Sequence, residues 1–306
     1  MNKNILIALL FTFLIALPAT SQARLNIITS IPDLRSLVEY IGKDKVDVTS
    51  IARGHEDPHH VEPRPTFITR LARADLLFVA GMELEAPWIL PLLESARNIR
   101  LTPPSGEGYI DCSVVITPKE VPTTRVDPSM GDVHPEGNPH YLVDPSNAVK
   151  VAELIKQTLI DSDPENREFY QQNYQQFRQK VLERLRVWRD KFAEVDNNRV
   201  VEYHSAWIYF SDFFGIEIVG KVESRPGIPP TGRDLARTTD LMNSQSVKVI
   251  LRESFQPDRF SENIASRVGG EVVVLPAMVG AIEGIDDYFS FMDYLVETAV
   301  AALKRQ

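Results

Sequence analysis

Apolar residues in this chain fall into two rhythms. Short unbroken runs read as strands, and residues 75–79 (Asp-Leu-Leu-Phe-Val) have the continuous character of a buried parallel strand. Longer stretches, apolar at every third or fourth position, read as amphipathic helices. In the first half, strands are expected at 25–30, 46–51 and 75–79, and helices at 32–41, 65–74 and 88–97. Strict alternation of the two argues for a parallel sheet covered on both faces. Residues 103–139, rich in Pro, Gly and Asp with strand-like pieces near 114–116, read as a long loop of the kind that carries function. Asp144-Pro145 then opens a helix, with Pro suited to its first turn.

Residues 164–195 hold the longest helical pattern. Tyr170, Tyr174, Phe177, Val181, Leu185, Trp188 and Phe192 mark one stripe, and roughly 30 residues at 1.5 Å rise span about 45 Å, the scale of a whole lobe. Such a helix is expected to act as a stiff strut. Beyond it the rhythm of the first half returns: strands at 199–203, 247–251 and 271–275, helices at 205–214 and 259–268, and a terminal helix at 287–304. The expected fold is therefore α/β, with two lobes of parallel sheet flanked by helices and joined by a long rigid linker helix. Its parts are an N-terminal lobe at 24–163, the linker at 164–195 and a C-terminal lobe at 196–306, each lobe with its own core. A chain this long exceeds one ordinary core.

The first 23 residues change the picture. Lys3 precedes an apolar run from Ile5 to Leu17, Pro18 breaks it, and Ser21-Gln22-Ala23 offers small residues at both outer positions of a cleavage site. This reads as a secretory signal removed before Arg24. About 13 apolar residues are too few for a hydrocarbon core that needs about 20. Without a Cys after the run, lipid attachment there is not expected, and the mature chain is expected in a bacterial periplasm. The net charge of −9 argues against nucleic acid and favours a cationic ligand. Cys112 is the only cysteine, so no intrachain disulfide is expected in that oxidising compartment.

Candidate chemistry gathers in four stretches: Asp57-Pro58-His59, Asn138-Pro139-His140, Tyr203-His204-Ser205 and Asp286-Asp287-Tyr288. His59 and His140 are 81 residues apart, His204 and Asp286 82, as if two similar halves each gave two ligands to one ion. Three neutral imidazoles and a carboxylate make a closed four-coordinate set that suits Zn²⁺. Alternatives stand beside each position. His55 and His60 flank His59, His134 precedes His140 in the loop, and Asp287, Glu283 and Glu253 compete with Asp286. Asp286 is favoured as the carboxylate, with Glu253 next, although a carboxylate opening the terminal helix equally suits an N-cap.

These motifs resemble those of the periplasmic zinc- and manganese-binding proteins of ABC importers, the cluster A-I solute-binding proteins related to the zinc-uptake and treponemal metal-binding proteins. Gly54-x-x-Asp57-Pro58-His59-x-x-Glu62-Pro63-x-Pro65 is similar to the first-ligand motif, and Ala74-Asp75-Leu76 through Gly81-x-x-x-Glu85 to the strand and turn after it. Asn138-Pro139-His140-Tyr-Leu-Val-Asp144-Pro145, Tyr203-His204-Ser205-Ala206 and Asp286-Asp287-Tyr288 with Phe291-Met292 resemble the second, third and fourth. Val61 and Leu295 depart from the pattern, standing where an aromatic residue and an Asn are usual. The resemblance implies His59, His140, His204 and Asp286 as ligands of one divalent ion between the lobes, Zn²⁺ before Mn²⁺. It also implies delivery to a membrane permease of an ABC importer, by a protein expected to be a monomer. A zinc-dependent hydrolase is the rival of another class. The sequence holds no His-Glu-x-x-His helix, nucleophile elbow or Gly-rich phosphate loop to support it, and no enzyme is expected.

Overall fold

Strand and helix units follow one another in the first half as the apolar rhythm predicts. The computed structural model describes residues 24–104 and 106–306, and the expected signal at 1–23 lies outside the described residues. β1 (Leu25–Thr29), α1 (Pro32–Gly42), β2 (Val46–Ser50), α2 (Pro65–Leu71), β3 (Leu76–Val79), α3 (Ala86–Ala96) and β4 (Tyr109–Asp111) build a parallel sheet in the order β2-β1-β3-β4. α4 (Pro145–Ser162) follows the long loop. Asp144 caps it, its Oδ1 accepting from the Ser146 N–H at 2.8 Å.

After α5 (Arg167–Phe192), the second half runs β5 (Arg199–Glu202), α6 (Ile208–Phe214), β6 (Glu217–Lys221), α7 (Gly232–Gln245), β7 (Val249–Glu253), α8 (Asp258–Val268) and β8 (Glu271–Leu275). Its parallel sheet, β6-β5-β7-β8, has the same order as the first. Strand order therefore reverses at β1/β3 and again at β5/β7, and the crevice beyond the carboxyl ends of such strands is where ligands lodge in α/β sheets.

Two elements escape the sequence pattern for physical reasons. β6 is a partly exposed edge strand, and α7 buries only Asp234, Thr238 and Met242, so neither carries an apolar stripe. Residues 112–115 form a 3₁₀ turn rather than a strand, with β4 just before it and Val114 in solvent.

α5 holds 26 residues, about 39 Å of helix. Tyr170, Tyr174, Phe177, Val181 and Trp188 are its buried stripe. Asn173 Nδ2 donates to the Ile41 carbonyl at 2.9 Å, tying the helix to α1. Trp188 Nε1 donates to Asp293 Oδ1 at 2.7 Å, tying it to α9 (Tyr288–Leu303). α9 in turn reaches the first half, where the Tyr288 N–H donates to Ser36 Oγ at 2.8 Å and its hydroxyl to the Leu142 carbonyl at 2.8 Å. One hydrophobic cluster consequently runs from Ile27 and Leu77 through Phe177 and Trp188 to Phe210, Leu251, Leu275 and Phe291. A smaller one, with Val201, Met242 and Ile264, lies within the second half. The expectation of a separate core for each lobe gives way to a shared one, because α5 and α9 each present apolar residues to both halves.

Candidate metal centre

Three of the four expected ligands come together where the carboxyl ends of the two sheets face each other. One ring nitrogen each of His59, His140 and His204 lies within 4.8 Å of the others. The rings are mutually close, with centroids 5.1 Å apart for His59–His140, 5.2 Å for His59–His204 and 5.6 Å for His140–His204. His204 leaves the end of β5, His59 sits in the loop after β2, and His140 closes the loop after β4. The His59 loop lies so close to the second half that a Cβ on Gly54 would stand 2.2 Å from the Gly280 carbonyl carbon, which leaves room only for glycine.

Two of the rings are held from behind, His59 and His204. Asp57 Oδ1 accepts from His59 Nδ1 at 2.8 Å and from the His59 backbone N–H at 3.0 Å. Burial alone would raise the Asp57 carboxyl, yet the His59 ring and backbone N–H bring it below its ordinary value. Glu223 Oε2, 5% exposed, accepts from His204 Nδ1 at 3.0 Å and from the Gly227 N–H at 2.9 Å. Such partners fix the tautomer and leave the opposite nitrogen free for an ion. The His59 and His140 Nε2 atoms are both buried with no hydrogen-bond partner. Burial pushes the His140 ring well below its ordinary pKa, and the His59, His204 and His134 rings push it further, so it is neutral and ready to ligate. Asn138 positions that ring across the lobes. Its Oδ1 accepts from the His140 N–H at 3.0 Å, while its Nδ2 donates to the Ser205 carbonyl at 2.6 Å.

Asp286 is not brought to this cluster. It is exposed, in the turn before α9, between buried Ile285 and Asp287. Asp287 is the helix cap, its Oδ1 accepting from the Phe289 and Ser290 N–H groups at 2.7 and 2.9 Å. That cap fixes the chain direction and leaves Asp286 facing solvent. His55, His60 and Glu283 are exposed as well.

Two cavities flank the three rings. The inner one, about 40 Å³, is lined by Asp33, His140, His204, Trp207, Glu253 and Met278, and has room for a water or two. Burial raises the Asp33 carboxyl to about 7, against the backbone N–H groups of Asp33 and Val279 that favour its anion. Burial likewise holds Glu253 well above its ordinary value, helped by the charges of Glu202 and Glu223. The outer cavity, about 190 Å³, is polar and lined by Glu120, Asp132, His134, Asn138, His140 and His204 among others. Its roof is the long loop, strapped to the second half where Glu120 accepts from Lys221 Nζ at 2.7 Å and Ser205 Oγ at 2.6 Å.

Sequence reasoning missed Glu223, 19 residues beyond His204 with no motif around it, and the burial of Asp33. It also gave Asp57 no role, although its place two residues before His59 was the signal available.

Comparison with known proteins places this geometry. Residues 27–302 match the family model described as ZnuA, zinc-uptake complex component A, periplasmic. The chain is 25% identical over 287 residues to the manganese-binding lipoprotein MntA of Halalkalibacterium halodurans, covering 92% of this chain and 89% of that one. It is 24% identical over 263 residues to the high-affinity zinc uptake system protein ZnuA of Bacillus subtilis, covering 84% and 79%. A crystal structure of a zinc-bound ZnuA deletion mutant shares the fold, with a TM-score of 0.76 at 22% identity over 92% of this chain and 99% of that one.

Proposed function

The chain belongs to the ZnuA family of periplasmic zinc-uptake components, and from that membership we propose that it is the solute-binding component of an ABC importer that captures one divalent metal ion, zinc before manganese. The observation that carries the reading is the convergence of His59, His140 and His204, contributed by both halves, with ring nitrogens within 4.8 Å of one another. An imidazole-rich set suits zinc, whereas manganese favours carboxylate and water oxygens. Both metals occur in the names of the relatives, zinc for ZnuA and manganese for MntA.

In this reading the ion is cargo. His140, already neutral through burial, gives up no proton on ligation, and Asp57 and Glu223 hold the other two rings in register while the ion replaces its water shell. The polar outer cavity is the entrance. The carrier works as a monomer in the periplasm after removal of residues 1–23, and delivers the ion to a membrane permease. Family membership supports a carrier over a hydrolase.

Native mass spectrometry of the mature chain, followed by competition titration with Zn²⁺ and Mn²⁺, tests the reading. One ion per chain is expected, with zinc the tighter, and strong loss of binding in His59→Ala and His140→Ala. Tighter manganese would overturn the metal assignment, and undiminished binding in both variants the site.

A further inference from the structure

We propose that Glu120 is a positioning residue that governs how fast the captured ion leaves. Its carboxylate fastens the long loop over the outer cavity and holds the His140 and His204 segments together. The proposal rests on the metal-carrier reading above and adds a release step to it.

Glu120 acts on the rings at one remove, through the segments that carry them. Its Oε2 accepts from Ser205 Oγ at 2.6 Å and from Asn138 Nδ2 at 2.9 Å, and its Oε1 accepts from Lys221 Nζ at 2.7 Å. Ser205 follows His204 directly. Asn138 accepts the His140 N–H through Oδ1 at 3.0 Å. Lys221 ends β6, the strand beside the one from which His204 leaves, and also donates to Ser205 Oγ. One carboxylate thus joins a loop of the first half to a ligand segment of each half.

The backbone is prepared for this task. Glu120 is left-handed, with φ of +51, an uncommon place for a residue with a side chain. Such a conformation persists where neighbouring bonds over-determine it, and Lys119 supplies them. Its N–H donates to Tyr209 Oη at 2.9 Å, its carbonyl accepts the Asn138 N–H at 2.8 Å, and its ammonium pairs with Asp212.

Exposure separates what holds the halves from what can part. The bonds from Asn138 Nδ2 to the Ser205 carbonyl and from the Tyr209 hydroxyl to the Asn138 carbonyl are buried, and they persist with the core. The Glu120 and Lys221 side chains are instead 35% and 34% exposed, so water and salt reach the pair and it opens without unmaking that core. Burial would raise the Glu120 carboxyl, but bonds from Lys221, Ser205 and Asn138 bring it below its ordinary value. The way out passes this pair. The inner cavity has room for a water or two behind apolar walls such as Leu142 and Met278, whereas Glu120, Lys221, Ser205 and Asn138 line the 190 Å³ outer cavity beside His140 and His204. While Glu120 keeps its donors, the two rings hold their separation and the loop covers the exit. Once it lets go, both constraints are lost together.

The test uses the mature chain loaded with Zn²⁺. Stopped-flow transfer to excess chelator gives the dissociation rate, and rapid mixing of ion with metal-free chain gives the association rate. Glu120→Gly removes the carboxylate and takes the left-handed backbone without strain, so the loop keeps its path. Glu120→Gln keeps the shape and one acceptor oxygen but not the charge, and it decides the matter should the glycine variant fail to fold by circular dichroism. Dissociation is expected to quicken about tenfold in Glu120→Gly, the low end of losses seen when a group behind a metal ligand is removed. Glu120→Gln should show less, and association should change less than dissociation in both. Added salt should quicken release from the wild type by screening the Glu120–Lys221 pair, and much less from Glu120→Gln, a response that a merely structural role would not give. Equal dissociation rates in the wild type and the folded variants, or one salt response shared by the wild type and Glu120→Gln, would overturn the proposal. Loss of the ion in His59→Ala would then leave the carrier reading standing, and a wild type that binds no zinc would remove both.

Discussion

Glu223→Ala probes how far metal affinity depends on a residue that never touches the ion. The carboxylate is 5% exposed, and its Oε2 alone receives both the His204 ring at 3.0 Å and the Gly227 N–H at 2.9 Å. Truncation frees the imidazole to rotate and change tautomer, and strips the Gly227 N–H of its acceptor. A hydrogen bond involving a charged group is worth about 1.5–3 kcal/mol net, little discounted here because the pair is almost fully buried. Loss of a group behind a metal ligand typically costs about 10–100-fold in affinity, which is about 1.4–2.7 kcal/mol, so the two routes agree. Glu223→Gln should cost less, near the low end. Because both bonds use one oxygen, the amide oxygen can keep both and only the charge is lost. The assay is zinc competition against a fluorescent chelator at fixed pH, with circular dichroism confirming the fold. Zinc affinity within twofold of wild type in a folded Glu223→Ala variant would refute the argument, as would a Gln variant weaker than the Ala one.

Two adjacent aspartates should separate cleanly. Asp286→Asn is expected to leave zinc affinity within about twofold, while Asp287→Ala, which removes the α9 cap, should cost about 0.5–2 kcal/mol of stability in denaturant titrations. Large affinity loss in Asp286→Asn would restore it as a ligand. Asp33 makes a pH prediction for the metal-free chain. Its folded pKa of about 7 is raised above the ordinary carboxylate value of 3.8, so its share of stability is full below about pH 4 and is lost as pH rises through 7. Asp33→Asn should therefore match wild type near pH 4 and exceed it by up to roughly 4 kcal/mol near pH 8, and an equal gap at both pH values would contradict this.

Much of the architecture was legible because parallel strands buried on both faces must be continuous apolar runs, as in Leu76–Val79. β6 and α7 were not, since a partly exposed edge strand and a helix with a polar buried face leave no period to read. Of the site, the three converging histidines could be read because each sits beside a Pro or at a strand end. The carboxylate could not be. Asp286 and Asp287 are chemically alike, and only the hydrogen bonds at the start of α9 reveal which one is occupied. Glu223 and Asp33 gain their character from burial contributed by residues far away in sequence, which no local pattern encodes.

The shared core has a thermodynamic corollary. Two lobes that clamp shut on a ligand bury fresh apolar surface, and the heat capacity of binding falls with it. Here the cluster from Ile27 to Phe291 is already continuous, so an ion can draw in rings and loops but finds little greasy surface left to hide. The enthalpy of loading should then hardly vary with temperature. A permease choosing between full and empty carriers would meet two nearly identical outlines, and the discrimination must lie in the few side chains and loop atoms at the mouth.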